Sequence, residues 1–309
     1  MVSGSVSWGQ DATTPFKYPS APDNLETLGE RTTYLVEHFW DRCNLKSIFS
    51  STKNFDTAFE DYISFFPYAD SSTVIQSVEH LIKEVKKTPT NMLTLARTAR
   101  EKLYGDSAEM KIDAVYLLFA KAALESGNIS KSDKEQFSRE VSQLSHSQEG
   151  MILPAISMIK NDGSNFSFND INDKYILLFF DEPGNFDNML ARTRLATDYA
   201  LNELIDLGYV EVISIYPGNA DLQWKERVKD YPGNWIVVAS PDADMLFDRR
   251  ITPTFYYCNK NREILSKNLQ VDNLIEAFRI VSNNRKQVQI ERERLKQEVL
   301  QNKHNNDRN

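Results

Sequence analysis

YILLFFDEPGNFDNM, residues Tyr175–Met189, decides the fold. Tyr175–Phe180 is a continuous apolar run of strand length, closed by Asp181. A run apolar on both faces reads as a central strand of a covered, largely parallel sheet. Pro183-Gly184 stops it, and Asn185 is a good N-cap for a helix from Phe186 to about Leu207, ended by Gly208. Far downstream, Ile251-Thr252-Pro253-Thr254 leads into a second strand.

Working outward, Ile152–Ile159 and Asn165–Phe168 flank Asp162-Gly163 and read as a hairpin with an Asp-Gly turn. Val210–Tyr216 is a strand, and Leu222, Trp224 and Val228 mark a short helix. Trp235–Ala239 is extended, and Asp242–Arg249 makes one or two helical turns. Thr254–Cys258 and Ile264–Lys267 form a hairpin, and Val271, Leu274, Ile275, Phe278 and Val281 start the last helix. From 284 to 309 the chain is highly charged, with a thin stripe of Val288, Leu295 and Val299. That stripe reads as a helix entering solvent, or as a partner helix.

Residues 23–147 read as helices only, about six of ordinary length joined by short turns. Leu28, Leu35, Val36, Phe39, Trp40 and Cys43 make one apolar face; Phe55, Phe59, Tyr62, Ile63 and Phe66 make another. Val74, Val78, Leu81, Ile82 and Val85 repeat at helical spacing behind a start signal at Asp70. Thr88-Pro89 and Gly127-Asn128 are breaks, and Ser130 with Asp133 is a capping-box pattern. Residues 1–22 form a polar, proline-containing lead.

Strand, Pro-x turn, helix and a later Thr-Pro-Thr before another strand resemble a thioredoxin-like domain. The similarity is to the bacterial envelope thiol:disulfide interchange-like group, in which a helical domain of unknown function precedes the thioredoxin unit. Glu30–Asp41, ERTTYLVEHFWD, is similar to the opening of that helical domain. The implied class is α/β: an all-α N-terminal domain over 23–150, then a thioredoxin-like mixed sheet flanked by helices over 151–283. A lead (1–22) and a charged helical or disordered tail (284–309) complete the chain.

In that group the turn carries Pro-x-Cys-x-x-Cys. Here Pro183 matches the proline, and the cysteine positions fall on Asn185 and Asn188. Thiol–disulfide exchange needs a thiolate, which a helix start stabilises and an amide cannot replace. The catalytic set is therefore empty, with Asn185 and Asn188 as vestigial positions. The resemblance also implies a cis proline at Pro253 and a residue before it that pairs its backbone with an extended peptide. Pro183, Phe186, Thr252 and Pro253 are then groove candidates, with Pro253 as a simple turn-former the plainer alternative. Phe179 falls where many active thioredoxins keep a buried acid.

The 309 residues carry a formal charge of −8, which argues against nucleic acid. No run approaches the ~18 apolar residues of a membrane helix. Met1–Tyr18 has neither the basic start nor the apolar core of a secretory signal, while the resemblance points to the periplasm or envelope. Cys43 and Cys258 lie in different domains and read as structural thiols. Cys258, five residues past Pro253, lies about 16 Å along a strand from the turn. His38, beside Glu37 and Asp41, reads as a surface or capping histidine, and His80, His146 and His304 are isolated. No cofactor or metal is expected. The leading function is a redox-inactive protein- or peptide-binding module. A thiol–disulfide oxidoreductase and a purely structural chain stand as alternatives.

Overall fold

The structure is a computed structural model that describes residues 14–127 and 129–306, with side chains as far as residue 298. Most of the expected lead, the Asn128 half of the Gly127-Asn128 break and residues 307–309 of the expected tail lie outside the described residues. The chain divides into two compact units, Met1–Leu144 and Ser145–Asn309.

The first unit is helical: α1 (Leu28–His38), α2 (Thr52–Ser64), α3 (Ser71–Val85), α4 (Pro89–Leu103), α5 (Asp113–Leu124) and α6 (Lys131–His146). Local chemistry sets the starts. Thr27 and Glu30 form a capping box on α1, and Asp70 accepts from the Thr73 N–H at 2.9 Å on α3. Pro89 opens α4, where its missing N–H costs nothing. Phe55, Phe59, Tyr62, Phe119 and Phe137 are fully buried at the centre. The stripe running to Cys43 does not hold as one helical face. The helix stops at His38, Leu28 is 61% exposed, and Phe39 and Trp40 reach the core from the turns beyond it. Beyond His38 the chain turns through i→i+3 bonds instead, Asp41 N–H to His38 O at 3.3 Å and Cys43 N–H to Trp40 O at 3.0 Å.

The second unit runs β1 (Met158–Lys160), β2 (Asn165–Phe166), β3 (Tyr175–Phe180), α7 (Phe186–Thr197), α8 (Tyr199–Asp206), β4 (Val210–Tyr216), α9 (Leu222–Arg227), β5 (Ile236–Ala239), α10 (Ala243–Leu246), β6 (Thr254–Cys258), β7 (Ile264–Lys267) and α11 (Val271–Asn306). One sheet has the order β2-β1-β5-β4-β3-β6-β7. β3, β4 and β5 are parallel; β6, β7 and β1 join antiparallel. β3 is central and covered on both faces. Leu177 and Phe179 pack with Ala191, Leu195 and Leu201 of the helices, while Ile176, Leu178 and Phe180 pack with Phe247 and Tyr256 on the other side.

Three expectations shift. The first hairpin strand is only Met158–Lys160, since Pro154 interrupts the run, although Ile152 bridges to Glu263. The long helix breaks at Asp198, which leaves helical geometry (φ −73°, ψ 120°) and caps α8 by accepting from Leu201 N–H at 2.9 Å. The unit boundary falls after Leu144, within the last turn of α6 and a few residues before the expected domain limit at 150, and Gly150 N–H donates to Ile264 O at 2.8 Å.

Candidate functional site

β3 ends against a turn that two arginines hold. Gly184 takes φ +97°, which a side chain would strain. Arg227 Nη1 donates to Pro183 O at 3.2 Å, and Arg249 binds Glu182 at 2.9 Å and Asp244 at 2.6 Å. Asn185 then caps α7: its Oδ1 accepts from Asn188 N–H at 3.1 Å. Asn188 is buried, and its Oδ1 has no hydrogen-bond partner among the described residues. Phe186 is 68% exposed, and Met189 and Leu190 in the first turns of the same helix are exposed too.

The β6 register brings the distant Thr-Pro to this turn. Thr254 pairs with Phe180, so Pro253 comes beside the end of β3. The Thr252–Pro253 peptide bond is cis, and Thr252 is exposed. Pro183, Asn185, Phe186, Asn188, Thr252 and Pro253 thus gather at one end of the sheet. Cys258 does not join them. It pairs with Ile176 near the opposite end of β3, fully buried, and burial pushes its thiol up to about 12. Cys43, in the first unit, is pushed up to about 11 by the same cause. His38 lies 2.9 Å from Asp41 and against the Tyr34 ring, 4.4 Å between centroids. Among the described residues no three His, Cys, Asp or Glu side chains converge as a metal site.

Sequence reasoning took Asp181 only as the last residue of a strand. It is fully buried, on the α7 side like Phe179, with Oδ2 2.5 Å from Arg192 Nη1. Arg192 also donates to Tyr231 OH at 2.7 Å and lies 4.0 Å over that ring. Oδ1 of Asp181 has no partner among the described residues. Burial pushes the carboxyl above its ordinary range, against the Arg192 bond and charge. The available signal was a carboxylate closing an otherwise apolar strand, with an arginine a few turns on. Phe179 itself stacks on Phe255 at 4.8 Å.

A second buried charge anchors the segment leading to Thr252. Asp248 binds Arg250 at 2.5 Å and Lys267 at 2.9 Å, and its carbonyl accepts from Tyr256 OH at 2.9 Å. Burial opposes ionisation, but Lys267 and Arg250 together hold this carboxyl below its usual range. A group with a depressed folded-state pKa contributes stability above its unfolded pKa, which is lost as pH falls through the folded one. Urea midpoints of the wild type are therefore expected to fall steeply from the ordinary carboxylate range downward, and those of Asp248→Asn to fall less. Parallel curves for the two proteins would remove Asp248 as an acid-sensitive anchor.

Residues 3–147 match a family described as a domain of unknown function, DUF5106. Over 86% of this chain and 98% of the other, the structure is similar to a crystal structure of a thioredoxin-like protein from Bacteroides caccae, at 21% identity and a TM-score of 0.69. A conserved protein of unknown function from Bacteroides fragilis is 25% identical over 42% of this chain and 98% of its own, with a TM-score of 0.40. The thioredoxin domain of a thiol-disulfide oxidoreductase from Bacteroides vulgatus is 22% identical over 44% of this chain and 99% of its own, with a TM-score of 0.38. No curated protein matches the sequence. The fold is a helical N-terminal region followed by a thioredoxin-like mixed sheet with flanking helices.

Proposed function

We propose that this thioredoxin-like fold works as a redox-inactive binding module, holding an extended segment of another protein at the Thr252–Pro253 end of its sheet. The observation that carries the reading is the pair Asn185 and Asn188: one amide caps α7, the other is buried beneath it, and neither offers a thiolate. Cys258 offers no substitute, since burial keeps its thiol protonated at neutral pH. What the turn does offer is a held backbone and exposed apolar side chains on α7, Phe186, Met189 and Leu190, at the same end of the sheet as the exposed Thr252. An extended chain binds such a site by main-chain hydrogen bonds, with apolar side chains adding affinity. The bacterial envelope is the compartment that the resemblance implies for such a module.

The test is binding of a panel of extended, apolar-rich peptides to the full chain, read by fluorescence anisotropy, beside an insulin-reduction assay. Phe186→Ala with Leu190→Ala is expected to weaken binding at least about tenfold, because burying each such side chain is worth about 1.5–3 kcal/mol. Disulfide reduction is expected to stay at background. Turnover that disappears in Cys258→Ser would favour an oxidoreductase. Peptide affinity indifferent to the Phe186 and Leu190 changes would leave the groove without a role.

A further inference from the structure

The last helix runs well past the unit it belongs to. At ~1.5 Å per residue, its 36 residues span about 54 Å. Its first half is anchored: Leu274 and Phe278 are buried, Lys286 binds Glu203 at 2.9 Å, and the Arg285 guanidinium lies 3.3 Å over the Tyr209 ring. From Gln287 to Glu298 every residue is exposed. A solitary helical stretch of that length is marginal in water without a packed face.

The exposed stretch carries such a face. Val281, Val288 and Leu295 recur every seven residues and are 39%, 52% and 49% exposed. They continue the phase set by Leu274, so the seam that starts inside the unit runs on into solvent. In heptad terms Leu274, Val281, Val288 and Leu295 take d positions, and Phe278, Arg285, Arg292 and Val299 take a positions. Glu291 then falls at g and Lys296 at the next e, and the sequence repeats that five-residue offset at Glu298 and Lys303.

We propose that residues 287–298 pair in parallel with the same helix of a second copy of this chain, forming a short two-stranded coiled coil. Charge selects both the occupant and its direction. In a parallel pair each g position faces the next e of the other helix, so Glu291 meets Lys296 of the second copy. An antiparallel pair sets g against g, glutamate against glutamate. Arg292 at a keeps the association weak; its stem covers the seam while its charge leans toward Glu291 of the second copy. Within one chain Arg294 lies 3.6 Å from Glu291 and 3.3 Å from Glu298. Exposed pairs are individually weak within the chain and between copies alike, so the charges set the direction while Val288 and Leu295 carry the affinity.

Sedimentation equilibrium of the full chain, from micromolar to millimolar concentration, tests this. Reversible monomer–dimer exchange is expected. Val288→Glu with Leu295→Glu should weaken it at least about 100-fold, because two apolar side chains per helix leave the seam. Glu291→Lys should weaken it in part, and adding Lys296→Glu should restore it. An unchanged thermal melt in each variant establishes that the unit itself is intact. A chain monomeric at every concentration overturns the proposal. So does a dimer indifferent to the double glutamate variant, or one that the charge swap fails to restore.

Discussion

Replacing Arg192 by alanine is expected to destabilise the second unit by about 3–5 kcal/mol, the usual cost of leaving one member of a buried ion pair alone. Asp181 has no exposed surface, and Arg192 Nη1 at 2.5 Å is its one side-chain ion-pair partner among the described residues. The same arginine ties α7 to Tyr231, so its loss also frees the loop before β5. The sign of the pH effect comes from the raised Asp181 carboxyl. A group with a raised folded-state pKa contributes stability below its unfolded pKa, lost as pH rises through the folded one. Without Arg192 the carboxyl rises further, so the deficit of Arg192→Ala should be largest near neutrality and shrink toward the carboxylate range. Arg192→Ala combined with Asp181→Asn should recover much of the loss, since no charge is then left buried. Urea unfolding across pH measures all three proteins. A deficit below about 1 kcal/mol, typical of an exposed pair, would mean that the pair is solvated in solution.

The double change Asn185→Cys with Asn188→Cys is expected to yield a disulfide that forms under mild oxidant. The two positions are the N-cap and third residue of α7, joined by an Oδ1 to N–H contact of 3.1 Å. Residues three apart on a helix lie about 5–6 Å apart at Cβ, close enough for small adjustments to bring the Cα pair into the disulfide range. The helix start stabilises an anion by roughly 0.3–1 kcal/mol, so the thiol at the partly exposed position 185 should titrate below the free value of about 8.5. The thiol at buried position 188 should titrate above it. Sequence alone, with Phe179 in place of a buried acid, suggests slow proton transfer after the disulfide is made. Asp181 lies on that same strand face with Oδ1 unpartnered, but Arg192 already engages its other oxygen. A disulfide that cycles with poor turnover is the expected result. Thiol titration against pH and mass spectrometry of the oxidised form check it. Two cysteines that stay unpaired in a folded protein would overturn the alignment of this turn with the Pro-x-Cys-x-x-Cys turn.

Period and punctuation were legible in the chain itself. Five apolar residues after Tyr175 require a covered strand, Pro183-Gly184 ends it, and Asn185 caps the next helix, because these are contests between a residue and its own backbone. The six helices of the first unit were readable for the same reason, down to Pro89 at a helix start and Asp70 as a cap. One local signal was readable but outweighed by a longer pattern: Asp198 divides what apolar spacing shows as one helix.

Only the tertiary structure decided which distant residues share an environment. Thr254 opposite Phe180 is a matter of strand register, which carries Pro253 to the turn and Cys258 to the far end of β3. Asp181 with Arg192 and Tyr231, and Asp248 with Arg250 and Lys267, are charges that water would solvate separately in an extended chain. Burial makes partners of them, because removing a charge from water is costly unless an opposite charge comes with it, and that cost has no signature in local sequence.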